Sequence, residues 1–205
     1  MKRRIALTAA VLAFASAGCV AVRTWWIRRA PSIPSVGGRS LQIRLQDAGF
    51  TYLQKDPRWA ADPLGATACT LGSHGCTVSS VAMACTNLGV SITPGELNEL
   101  LKKHDGYLPQ GWLVWNAIPR VTRGKLTAEY HAKPTHEAID RALEAGAFPI
   151  VKYFLLGGIQ HWLVITGKDG TDYLARDPLH DDRMPRRLST LAERIYALRV
   201  VKRAP

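Results

Sequence analysis

Gly75-Cys76-Thr77-Val78-Ser79-Ser80-Val81-Ala82-Met83-Ala84 is the stretch around which the chain is organised. It reads as a tight glycine turn feeding a helix, with a cysteine in the helix's first turn. Gly75 allows a sharp bend with no side chain to clash. The small residues Thr77, Ser79, Ser80, Ala82 and Ala84 let neighbours pack close. A helix N-terminus presents unpaired N–H groups and partial positive charge, an environment that favours a thiolate. Taken alone, Cys76 would be a small buried hydrophobe. Two later segments change that reading: Gln160-His161-Trp162 and Arg176-Asp177-Pro178.

Those segments flank a hairpin whose register can be worked out on paper. Lys168-Asp169-Gly170 fits a three-residue loop with glycine at the left-handed position. Gly167 then faces Thr171, and counting back in step sets His161 opposite Asp177, on one face and within side-chain reach. A two-residue loop would put the two on opposite faces. A carboxylate bonded to one imidazole nitrogen fixes the ring's tautomer and leaves the other nitrogen for a thiol proton. Cysteine at a helix N-terminus, histidine on a strand and an orienting acid are the parts of nucleophilic acyl transfer. Gln54 is the candidate oxyanion donor, because a side-chain amide N–H can stabilise charge developing on a carbonyl oxygen.

The remaining elements place this hairpin late in an α+β chain. Phe50 to Gln54 alternates as a short strand or extended lead-in. Gly89 stops the Cys76 helix. Thr93-Pro94-Gly95-Glu96 is a capping box with proline at the first helical position, followed by the apolar stripe Leu97, Leu100 and Leu101. Trp112 to Ile118 reads as a short helix ended by Pro119. Leu126 to Tyr130 is a strand, Thr135 caps a helix over Glu137 to Ala145, and Phe148 to Leu156 is a strand closed by the turn Gly157-Gly158. A short helix near Leu188–Arg194 precedes a strand from Ile195 to Val201. Helices first and strands later predict N-terminal helices packed on an antiparallel sheet.

The chain's 205 residues, 47% of them apolar, suit one domain plus a tail, and no internal repeat is present. The formal charge of +11 resembles a nucleic-acid signal, but seven of the 27 basic residues lie in residues 1–39, which hold no acid. Residues 40–205 carry 20 basic against 16 acidic side chains, and no basic helix interleaved with aromatics, so no nucleic acid is expected as partner. The leader has a positive start, Lys2-Arg3-Arg4, an apolar run from Ile5 to Val22 and the small-x-small signal Ala15-Ser16-Ala17. It predicts export, with residues 1–22 a signal peptide or an N-terminal membrane anchor. Eighteen apolar residues span about 27 Å as a helix, enough for a bilayer core. Cys19 after Ala17-Gly18 also resembles a bacterial lipoprotein processing site. Residues 23–40, with Pro31, Pro34, Gly37 and Gly38, read as a linker, and 41–205 as the folded domain. Cys85 lies nine residues after Cys76, on the opposite helix face. A Cys69–Cys85 disulfide with Cys76 free is therefore expected, the alternative being three unpaired thiols. Cys69, His74, Cys76 and Cys85 match no zinc-finger spacing, and no cofactor or metal is expected.

Together these residues resemble the papain-like cysteine peptidases related to the bacteriocin-leader (double-glycine) peptidase family. The resemblance is carried by Tyr52-Leu53-Gln54-Lys55-Asp56-Pro57-Arg58-Trp59, Gly75-Cys76 with Ser80 and Met83, Ile92-Thr93-Pro94, Gly106-Tyr107, His161-Trp162 through Gly167, and Asp177-Pro178. It spans roughly residues 50–180. It implies a papain-like fold with Cys76 as nucleophile, His161 as base then acid, Asp177 as orienter and Gln54 as oxyanion donor. The expected activity is that of an exported thiol hydrolase, secreted or anchored to the cell envelope. Its expected substrate is a peptide, a protein or a peptidoglycan-type amide. The alternative is a catalytically silent peptide-binding module of the envelope.

Overall fold

The computed structural model describes Ile27 and residues 29–205. The leader read as signal peptide or anchor, residues 1–22, lies outside them. Among the described residues no helix is long and apolar enough to cross a membrane.

Strands β1 (Ile33–Pro34) and β2 (Val36–Arg44) open the fold. One helical turn, α1 (Leu71–His74), runs into α2 (Cys76–Asn87), and α3 (Pro94–Lys103) and α4 (Ile118–Val121) follow. Then come β3 (Leu126–His131), α5 (His136–Glu144), β4 (Phe148–Phe154), β5 (Gln160–Arg176), β6 (Arg186–Arg187), β7 (Arg194–Ile195) and β8 (Ala197–Arg203). The main sheet has the order β2-β5-β4-β8-β3, with β6 also on β5, and every pairing is antiparallel. The result is the expected mixture of helices and antiparallel sheet.

Alternation along the central strands divides the interior in two. Phe148, Ile150 and Val164 pack under α2, α3 and α4, while Val151, Leu163 and Ile165 pack with Ile139 and Leu143 of α5. Local chemistry sets the helix starts. Thr93 and Glu96 form the capping box of α3, with Pro94 at its first turn, and Thr135 caps α5. Pro119 departs from expectation: it lies in the first turn of α4 rather than ending a helix. A missing N–H is harmless there, because the first turn's donors have no intrahelical partner.

The supposed linker is also structural. Val36 pairs with Asp172, and Leu41 to Arg44 pair with Gly170 to Gly167, so the folded domain begins well before residue 41. The glycines that suggested flexibility are required by close approach. A Cβ at Gly37 would lie 2.4 Å from His136 Nε2, and one at Gly38 2.5 Å from Asp140 Oδ2. Lys168 Nζ, fully buried, donates to the Gly37 carbonyl at 2.8 Å and to Asp140 Oδ1 at 2.6 Å. The Arg39 backbone N–H and the Tyr173 hydroxyl also donate to Asp140. Asp140→Ala would strand a buried ammonium, and is expected to destabilise the fold by about 3–5 kcal/mol, checked by urea unfolding.

Cys69, Cys76 and Cys85 are all unpaired, so the expected disulfide is absent. Cys85 is sealed inside the core under α2, where burial pushes its thiol up to about 12, whereas Cys69 lines a surface cleft.

Candidate active site

The turn before α2 is built by contact. A Cβ at Gly75 would sit 2.4 Å from the Leu71 carbonyl oxygen, so a side chain there would push α1 and α2 apart. Cys76 therefore starts α2, 8% exposed, at one wall of a cleft of about 1320 Å³. Ser80, one turn further on, donates to the Trp162 carbonyl at 3.2 Å and fixes the helix against β5 beside His161.

β5 cannot be a straight ribbon. Sixteen extended steps would separate residues 161 and 177 by about 50 Å, yet His161 Nε2 lies 2.7 Å from Asp177 Oδ1. The segment doubles back, with Gly170 in the left-handed region (φ 66) and the Thr166 hydroxyl 3.5 Å from the Leu174 carbonyl. His161 and Asp177 are both buried. Asp177 Oδ1 also accepts the Leu179 backbone N–H at 2.8 Å, and Oδ2 accepts the Tyr153 hydroxyl at 2.8 Å. Tyr153 is the cross-strand partner of His161 and meets its ring edge-on at 5.3 Å.

With Nε2 given to Asp177, Nδ1 is the ring nitrogen left for Cys76, whose thiol is near enough to help raise the imidazole. Burial opposes charge on the imidazole, but the bonds to Asp177 and then Cys76 outweigh it and raise His161 to about 9. Burial likewise opposes charge on Asp177, and there the His161 hydrogen bond wins and holds the carboxyl below the ordinary carboxylate range. An imidazolium beside a carboxylate is the charge arrangement His161 and Asp177 favour together.

Gln54 is buried and lines the same cleft. Its backbone N–H donates to the Pro178 carbonyl and its Nε2 to the Gly72 carbonyl, both at 3.0 Å, tying it to the Asp177 and Cys76 segments at once. The Gly72 acceptor fixes which side-chain atom is nitrogen. One of the two Nε2 hydrogens remains for another acceptor.

All four expected side chains are thus at one place. Tyr153 was not anticipated. Tyr153→Phe keeps the ring and removes one buried partner of the Asp177 carboxylate. It is expected to lower unfolding free energy by about 1–3 kcal/mol, checked by chemical denaturation. Among the described residues no group of three or more His, Cys, Asp or Glu side chains is arranged to hold a metal ion.

No family model matches the chain. No curated protein matches it either. Among solved structures, a crystal structure described as a "putative C39-like peptidase" from Bacillus anthracis aligns with a TM-score of 0.40 and 16% identity, over 76% of this chain and 99% of that one.

Proposed function

We propose that this chain is an exported, papain-like cysteine peptidase, a thiol hydrolase of peptide or peptidoglycan-type amide bonds. The observation that supports this is the buried row from Cys76 through His161 to Asp177, with its sulfur end on the wall of the large cleft. In this reading the Cys76 thiolate attacks the amide carbonyl carbon and forms the carbon–sulfur bond. The oxyanion is held by the Cys76 backbone N–H, at the open first turn of α2, and by the uncommitted N–H of Gln54. His161 gives its Nδ1 proton to the departing amine as the carbon–nitrogen bond breaks. His161 then takes a proton from water, whose oxygen displaces sulfur and releases the acid. Asp177 holds the ring and offsets the imidazolium charge throughout. Export rests on the leader's composition, with residues 5–22 cleaved or kept as an envelope anchor.

The test is cleavage of a randomised peptide library by the purified chain, read by mass spectrometry with the Cys76→Ala variant as control. Products that depend on Cys76 support the hydrolase. Peptides that bind the native chain and leave it uncut would make it a binding module instead.

A further inference from the structure

The cleft beside Cys76 is electrostatically one-sided. It is lined by Lys55, Lys152 and Arg199 and by no aspartate or glutamate. This is a local feature, since residues 40–205 as a whole carry 20 basic and 16 acidic side chains.

Two of these cations are set into the wall. Lys152 on β4 pairs across the sheet with Trp162, the neighbour of His161, and Ile150, two residues earlier, pairs with Arg199 of β8. Lys152, Trp162 and Arg199 therefore share one face. Arg199 is 8% exposed. Its guanidinium lies 3.5 Å over the Tyr130 ring and 5.7 Å from each of Trp115 and Trp162. Nη1 donates to the Leu198 carbonyl at 2.6 Å and the His131 carbonyl at 3.4 Å, while buried Nε has no partner. Among the described residues Lys152 Nζ meets only the Phe154 ring, at 5.5 Å.

Elsewhere the fold pairs its buried cations with carboxylates: Lys168 with Asp140, and Arg176 with Asp47. Among the described residues Lys152 and Arg199 have no such partner. Burial disfavours the charge on both, and Arg199 further disfavours that on Lys152. Aromatic faces offset only part of this, a contact being worth about 0.5–2 kcal/mol. Arg199 is buried and Lys152 half-buried, and charges withdrawn from water are otherwise paired, so the two together leave room for an anion from outside the chain.

We propose that Lys152 and Arg199 form a carboxylate-binding subsite, which selects substrates carrying an acid at a fixed position close to the scissile amide. The apolar stem of that substrate residue lies against Trp115 and Trp162, which stand 5.8 Å apart. This substrate class rests on the hydrolase reading above.

The experiment uses two N-acetylated decapeptide libraries, one C-amidated and one with a free C-terminus. Asp or Glu enriched at one position in the amidated library assigns a side-chain carboxylate. Enrichment confined to the free-acid library, at a fixed distance from its end, assigns a terminal carboxylate. The acid of the best substrate is then replaced by its neutral amide. Lys152→Gln is expected to reduce the preference for acid over amide about ten-fold, and Lys152→Arg to restore it. Equal cutting of acid and amide by the native chain, or a preference unchanged in both Lys152→Gln and Arg199→Gln, overturns the subsite and leaves the hydrolase standing. If no peptide is cut, the peptide-hydrolase reading fails by itself. Retention of the same libraries on immobilised Cys76→Ala protein then decides the subsite. Acidic peptides held over neutral ones support it, and equal retention overturns it.

Discussion

Cys76→Ala is expected to abolish peptide hydrolysis, with kcat/KM falling on the order of 10⁴-fold or more, as removal of a covalent nucleophile does elsewhere. Among the described thiols, Cys85 is locked in the core with its thiol raised to about 12, and Cys69 is not among the groups that shift the imidazole. The fold should tolerate the change, because a small buried side chain loses one atom; unfolding free energy should shift by about 1 kcal/mol or less. A second readout does not depend on turnover. His161 is pulled down by burial and held at about 9 by its bonds to Asp177 and then Cys76. Removing the sulfur removes one of the two supports. The His161 titration midpoint, followed by NMR of its ring protons, should fall in the variant. An unchanged midpoint would mean that sulfur and imidazole do not share a proton, and the proposed chemistry would lose its first step.

The sequence exposed the site through local rules and hid what depends on register. The Gly75–Cys76 turn, the Thr93 capping box and the Thr135 cap are decided within a few residues, so they could be read directly. His161 does meet Asp177, as counting through a glycine-containing return expects, although Lys168, Asp169 and Gly170, read as a free loop, pair with β2. Tyr153 was out of reach. Taking Gly157-Gly158 as a two-residue turn would set residue 153 against Trp162. The observed pairing is Tyr153 with His161, across a five-residue connection from 155 to 159. One residue of slip exchanges the faces of the strand. Residues 33–40 misled because their glycines serve close approach to α5 rather than mobility, and nothing local distinguishes the two. Lys152 and Arg199 carry no local signal, and only the fold shows that among the described residues no carboxylate meets them.

Asp177→Asn separates the two roles of the acid, orientation and charge. Asp177 Oδ1 accepts from His161 Nε2 and from the Leu179 N–H, and an asparagine oxygen can keep both. Its amide nitrogen would then face the Tyr153 hydroxyl, which must turn from donor to acceptor. Geometry and tautomer survive, so the expected rate loss is about 10- to 100-fold. That is well short of the roughly 10⁴-fold seen where asparagine imposes the wrong tautomer. The pH dependence is the sharper test. His161 is raised from 6.5 to about 9. Its charged form therefore stabilises the fold fully below about 6.5, and that contribution fades as pH rises through about 9. The imidazolium that protonates the leaving amine persists over the same range, which places the alkaline limb of kcat/KM near 9. Without the carboxylate's charge, both the limb and the alkaline loss of stability should move to lower pH. On the acid side the sign reverses. Asp177 is depressed, so its contribution is present above its unfolded pKa and is lost as pH falls through the lower folded value; in the asparagine variant that acid-side loss should vanish. Rates should accordingly differ less between the two proteins near pH 6 than near pH 9. A variant with the native alkaline limb would mean that the imidazolium is held by something other than this carboxylate.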